Sequence, residues 1–107
     1  MKVLNRIKKN VEFNKVIDEG QVIKADSVAI YFLENKLGYT RIGISIPKKS
    51  GNAVVRNKMR RQIRAIIASD VSLDKSVDLV IIARKKYDIE NFKQVKLDIN
   101  QIIKEVG

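Results

Sequence analysis

Cysteine and histidine are both absent from the 107 residues. The first absence excludes disulfides, thiol nucleophiles and cysteine-based zinc sites, and leaves a reducing compartment open. The second removes the usual metal ligand and the side chain best suited to proton transfer near neutral pH. Acid–base chemistry on this chain would fall to carboxylates or lysines. Long apolar runs are also missing. Even Val28 to Leu33 and Leu79 to Ala83 have only six and five residues, far short of the roughly 20 needed to span a bilayer. Met1-Lys2-Val3-Leu4-Asn5-Arg6 begins with positive charge but has no apolar stretch behind it, so the sequence predicts no signal peptide and a cytoplasmic, non-membrane protein. Pro47 is the only proline, and there is no repeat, low-complexity tract or linker.

What is present is apolar content sufficient for a core and a large positive charge. The hydrophobic fraction is 45%, as in folded rather than disordered chains. The length predicts one domain over residues 1–107, burying roughly two-thirds of the surface that its unfolded chain exposes. Lys and Arg number 22 against 12 acids, a net +10. That excess is localised. Between Asn35 and Ser69 there is no Asp or Glu, while Lys36, Arg41, Lys48, Lys49, Arg56, Lys58, Arg60, Arg61 and Arg64 all fall inside the window. The rest of the chain carries 13 basic and 12 acidic residues. A solvated surface normally mixes signs, so a one-sign stretch marks a polyanion site.

Periodicity supplies the elements. Asn10 to Glu19 reads as a short helix, with Asn10 as N-cap, Gly20 as the stop, and Phe13, Val16 and Ile17 on one side. Gln21 to Ala25 is a short strand or an extended lead-in. Ser27 to Glu34 is rich in β-branched and aromatic residues and predicts a strand. A turn at Asn35-Lys36-Leu37-Gly38 leads into Tyr39 to Ile46. That run alternates, with Thr40, Ile42, Ile44 and Ile46 on one face and Tyr39, Arg41, Gly43 and Ser45 on the other. Pro47 ends it. After a loop at Lys48 to Asn52, a helix is expected from Ala53 to Ala68, a doubly buried strand from Val77 to Ala83, and a last helix from Asn91 to Val106. This helix carries an apolar stripe of Phe92, Val95, Ile99, Ile102, Ile103 and Val106. The order α-β-β-β-α-β-α predicts a two-layer α/β (α+β) sandwich built on a mainly antiparallel four-stranded sheet.

The helix from Ala53 is two-faced. At 100° per residue, Val55, Met59, Ile63 and Ile66 form a stripe for the sheet. Arg56, Arg60 and Arg64 recur at i, i+4 and i+8 beside it, Asn57 and Arg61 fill the adjoining sector, and Lys58 lies further round. Like charges at i,i+4 repel by a few tenths of a kcal/mol per pair, and no acid in the helix compensates. An external anion resolves the conflict. Phosphate suits arginine in particular, because the planar guanidinium makes two parallel hydrogen bonds to its oxygens. Lys48 and Lys49 sit just upstream, Gly51 permits close backbone approach, and the helix start offers free N–H groups. Spacing alone says nucleic acid and does not say which.

The stretch Lys48-Lys49-Ser50-Gly51-Asn52-Ala53-Val54-Val55-Arg56-Asn57-Lys58-Met59-Arg60-Arg61-Gln62-Ile63-Arg64 resembles the signature of bacterial ribonuclease P proteins, a KKxGNAVxRN lead running into RNxxRRxxR. Arg60 stands where lysine is commoner. The resemblance extends outward through Arg6-Ile7-Lys8-Lys9-Asn10, Phe13, Gly20, Tyr31, Arg41-Ile42-Gly43-Ile44-Ser45 and Ile81-Ile82-Ala83-Arg84, and covers roughly Arg6 to Ile103. It implies a protein subunit that binds a catalytic RNA and the single-stranded 5′ leader of precursor tRNA, supporting endonucleolytic 5′ maturation. The implied RNA contacts are Lys48, Lys49, Asn52, Arg56, Asn57, Lys58, Arg60, Arg61 and Arg64. The implied leader cleft, between the first helix and the sheet, takes in Phe13, Ile17 and Tyr31, where aromatic faces suit unpaired bases. Phe13, at helical spacing with Val16 and Ile17, is equally placed to be core. Ile17 stands where several relatives carry a second aromatic, and Ala25-Asp26 where polar and basic residues are commoner, which implies weaker or rearranged leader contacts. The resemblance further implies a left-handed β-α-β crossover around the arginine-rich helix, against the general right-handed rule. It also implies that the RNA partner holds the Mg²⁺ and performs the phosphodiester hydrolysis, leaving the protein with no catalytic residue and no metal site of its own. Asp18, Asp26 and Asp88 are expected to be ordinary surface carboxylates. Partners would be the RNA and precursor tRNA, with no obligate protein partner.

Rival readings are a ribosomal or other structural RNA-binding protein, which the basic helix and mixed sheet fit equally well, a major-groove DNA binder, and a stand-alone nuclease. The flanking strands argue against helix-turn-helix docking, and the missing catalytic side chains argue against the nuclease.

Overall fold

The computed structural model describes residues 5–106. Most of the stretch read for a signal peptide, residues 1–4, lies outside that range. Helix α1 (Asn10–Glu19) is followed by strands β1 (Gln21–Lys24), β2 (Val28–Glu34) and β3 (Arg41–Ser45). A 3₁₀ turn (Lys48–Ser50) leads into helix α2 (Ala53–Asp70), strand β4 (Val77–Ala83) and helix α3 (Phe92–Val106). The expected order holds, with boundaries within two residues. The sheet order is β1-β2-β4-β3. β1 pairs antiparallel with β2, β2 antiparallel with β4, and β3 parallel with β4. Helix α2 therefore joins the two parallel neighbours as a β-α-β unit. β4, the last strand made, is inserted between β2 and β3.

Strand alternation divides the sheet into two faces. One presents Val28, Ile30, Ile42, Leu79 and Ile81 to Met59, Ile63, Ile66 and Ile67 of α2 and to Val95, Ile99 and Ile102 of α3. Ile30, Ile63, Ile81 and Ile99 are completely buried, and each such side chain contributes about 2 kcal/mol of transfer free energy. The inner stripe of α2 is thus anchored, which fixes the direction in which its outer stripe faces. Met59, Ile63 and Ile66 occupy the expected positions. Val55 is only half-buried, and Ile67 joins because the helix runs on to Asp70. Phe92, expected in the α3 stripe, keeps 36% of its surface exposed at the helix start. Tyr87 closes one end of this core. Its hydroxyl donates to the Gln62 side chain at 2.9 Å, and burial pushes its ionisation well above the usual phenol range.

The opposite face carries α1. Two expectations about this helix change in detail. Asn10 is its first residue rather than its cap; Lys9 precedes it without a side-chain cap, and Glu12 supplies the acid in the first turn, where it complements the helix dipole. Gly20 does stop the helix, but at φ −80° it needs no left-handed freedom. Space demands glycine there, since a Cβ would collide with the carbonyls of Val16 and Phe32.

Candidate nucleic-acid interface

Asn52 starts α2 by accepting a hydrogen bond from the Val55 amide at 3.0 Å, which satisfies one of the free N–H groups of the first turn. Its Oδ1 is therefore engaged as a cap, a role the sequence reading passed over in favour of RNA contact. Gly51 has φ +150°, a conformation that side chains rarely adopt. A Cβ there would also stand 3.0 Å from Val55 Cγ1. This pair of residues turns the chain sharply from the exposed Lys48 and Lys49 into the helix, so the loop lysines and the first arginine share one end of α2.

Along the outer side of α2, Asn57, Lys58, Arg61 and Arg64 are exposed, while Arg56 and Arg60 are half-buried. Arg56 Nε donates to the Gly51 carbonyl at 3.2 Å, holding the loop to the helix. Asn57 Oδ1 lies 3.5 Å from Arg60, at the limit of a hydrogen bond. Among the described residues none of Lys48, Lys49, Arg56, Lys58, Arg60, Arg61 and Arg64 forms an ion pair with a carboxylate. Val54, Asn57, Arg60, Arg61 and Arg64 line an open concavity of about 460 Å³. A concavity of about 690 Å³ lies elsewhere, walled by Glu19, Gln21, Glu34 and Lys75 among others; its carboxylates make it a poor seat for a polyanion.

Two of the nine basic residues in the acid-free window do not join this surface. Arg41 donates from Nε to Asp78 Oδ1 at 2.9 Å and from a terminal nitrogen to Asp78 Oδ2 at 2.6 Å. Its other terminal nitrogen donates to Glu12 Oε2 at 2.8 Å. The Asp78 hydrogen bonds, opposed by partial burial and helped by Glu12, push its ionisation still higher. Arg41 is a strut that ties α1 to the sheet. Lys36 sits in the β2–β3 turn beside Ser76, near the C-terminal end of α2. An 18-residue helix is about 27 Å long, so Lys36 is remote from Lys48 and Lys49. Sequence reasoning missed the pairing of Arg41 because its partners, Asp78 and Glu12, lie 37 and 29 positions away.

One contributor was passed over. The 5–7 segment runs beside β3 as an extra edge: Arg6 bridges Ile42 in parallel, and the Ile7 amide donates to the Ile42 carbonyl at 3.1 Å. This brings the exposed Arg6 up to Arg60 and Arg64. Its place in the family pattern was visible, but nothing local told which surface it joins.

The cleft residues share the other sheet face. Val22, Tyr31, Val80 and Gly43 form one row across β1, β2, β4 and β3. Phe13 covers the β3 end of that row, where a Cβ on Gly43 would stand 2.9 Å from its ring. Tyr31 lies two strands away, about 10 Å at the usual strand spacing. Val16, on the same helix as Phe13, is completely buried. Phe13, Ile17 and Tyr31 are each half-buried, so Phe13 is both packing and accessible ring. The neighbouring row leaves Lys24 exposed and Ile82 and Ser45 half-buried. At its end the Ala25 carbonyl accepts from Arg84 at 2.6 Å, so a guanidinium does stand at the corner where Ala25 and Asp26 lack one. Asp18, Asp26 and Asp88 are exposed. No group of three or more carboxylates able to hold a metal occurs among the described residues, and no helix among them is long and apolar enough to cross a membrane.

Comparison with known proteins places this arrangement. The family model for ribonuclease P matches residues 1–107. The chain is 40% identical over 105 residues to the ribonuclease P protein component of Mesoplasma florum, covering 96% of each chain. It is 41% identical over 109 residues to that of Bacillus mycoides, covering 100% of this chain and 95% of the other. The fold superposes on the RNase P protein of Staphylococcus aureus with a TM-score of 0.86 at 32% identity, covering 95% and 94% of the two chains. On that of Thermotoga maritima the TM-score is 0.85 at 28% identity, covering 95% and 97%. With the arginine-rich helix, its capped loop and the shared sheet topology all in place, the chain belongs to the ribonuclease P protein family, the protein components of the bacterial ribonucleoprotein endoribonuclease.

Proposed function

We propose that this ribonuclease P subunit acts as one RNA-binding domain with two surfaces. The α2 surface, with Lys48, Lys49, Arg56, Asn57, Lys58, Arg60, Arg61 and Arg64, holds the catalytic RNA. Asn52 serves it by capping the helix. The face bearing Phe13, Ile17 and Tyr31 receives the unpaired 5′ leader of precursor tRNA in the cytoplasm. The observation that carries the reading is the run of seven cations along α2 and its loop, none of them paired with a carboxylate among the described residues. In water-exposed positions such a run repels itself, and a phosphate backbone relieves the repulsion while releasing its own counterions.

Phosphodiester hydrolysis in this scheme belongs to the RNA partner together with its Mg²⁺. The described residues of the protein supply no three-carboxylate cluster for a resident ion. The protein's part is to screen phosphate repulsion and to orient the substrate. The test is reconstitution with a bacterial ribonuclease P RNA at low Mg²⁺. Cleavage of precursor tRNA at the mature 5′ end should appear only when protein and RNA are combined. A protein that neither binds this RNA nor restores cleavage overturns the proposal.

A further inference from the structure

We propose that Arg6, Arg60 and Arg64 form a pocket for a single phosphate group of a polynucleotide backbone, and that filling it fastens the 5–7 segment to the edge of β3. The inference deepens the RNA-binding reading of α2 and rests on it.

The three guanidinium-bearing side chains line one small concavity of about 170 Å³ together with Ile7, Ile42, Gly43 and Ile44. They reach it from two elements far apart in sequence, the N-terminal segment and the middle of α2. No carboxylate pairs with any of the three among the described residues, and Arg6 makes no side-chain hydrogen bond there. Three like charges on the residues that line one hollow repel one another, and an anion that joins them relieves the repulsion. Size selects the anion: pockets for whole small molecules run to about 300–1,000 Å³, and this one suits a phosphate group rather than a base and sugar. Arginine forks match its oxygens.

The consequence for the segment follows from how little else holds it. Among the described residues Arg6 has a single bridge to Ile42, Ile7 has a single backbone hydrogen bond, and Asn5 donates from its side chain to the Thr40 carbonyl at 2.6 Å. A phosphate joining Arg6 to α2 adds a tie across the gap. Gly43 sits under this tie, in reach of both Ile7 and Phe13, so the pocket abuts the base of the leader face.

The test uses the full chain and inorganic phosphate alone, with chloride at matched ionic strength as reference. Amide hydrogen exchange is followed at Ile7 and, as a core control, at Ile81. Phosphate at ten times its dissociation constant should slow Ile7 exchange about tenfold, and Ile81, which exchanges through larger openings that also empty the pocket, should slow as well. Arg6→Ala should abolish the slowing at Ile7 while Ile81 stays protected, and Arg6→Lys should retain part of it. No slowing at Ile7, or equal slowing there in Arg6→Ala, overturns the pocket. RNA binding by the unaltered chain is measured alongside. If binding persists while the phosphate effect is missing, the pocket alone is refuted; if binding is missing as well, the reading of α2 falls with it.

Discussion

Replacing Arg41 with glutamine separates a structural cation from the RNA-binding ones. Breaking a buried ion pair by removing one partner costs roughly 3–5 kcal/mol. Here the Arg41 and Asp78 side chains retain 16% and 8% of their exposure, and Asp78 keeps the donor from Asn35 at 2.7 Å. The lower end applies, about 3 kcal/mol, which for a chain of this length lowers Tm by roughly 12–20 °C. RNA affinity should respond differently. Seven cations on α2 and its loop give a limiting slope of log K against log salt near about −6. Arg41→Gln should leave that slope unchanged at a temperature where the variant is folded. Urea unfolding supplies the first number and salt titration of RNA binding the second. A slope reduced by about one with unaltered stability would refute the assignment of Arg41 as a strut and return it to the phosphate-binding set.

Arg60→Ala combined with Arg64→Ala should reduce the same salt slope by about two, with little effect on urea stability because neither side chain has an ionic partner among the described residues. Tyr31→Ala should spare binding to the catalytic RNA and lower the preference for precursor over mature tRNA; a parallel loss of both, measured by competition binding, counts against two separate surfaces. Gly43→Ala puts a methyl group against the Phe13 ring. It should cost about 1–3 kcal/mol as overpacking, and a double variant with Phe13→Leu should recover part of the loss in thermal unfolding.

Most of the architecture could be read from the chain because its signals are local. The alternation from Tyr39 to Ile46 and the i, i+4, i+8 arginines on α2 each report on a neighbourhood of a few residues, and the structure places them accordingly. What escaped depends on distant partners. Counting Arg41 with the free cations was reasonable until Asp78 and Glu12 were brought to it by the β3–β4 pairing and by α1. Arg6 entered the basic surface only through its bridge to Ile42. The sequence did offer the stop at Gly20, but its reason, two crowding carbonyls, needed coordinates, as did the cap that Asn52 provides to an amide of the first turn.

The position of β4 in the sheet has a consequence for synthesis. Neither β2 nor β3 pairs with the other; β2 already has β1 on one edge, but both are joined only by the strand that arrives at residues 77–83. A nascent chain that has already produced the arginine helix therefore has no finished platform to hold it, and must wait for this keystone before its cations are arrayed. Fragments ending before Val77 should bind RNA as loose polycations, without the geometry that α2 acquires once both of its flanking strands are in register.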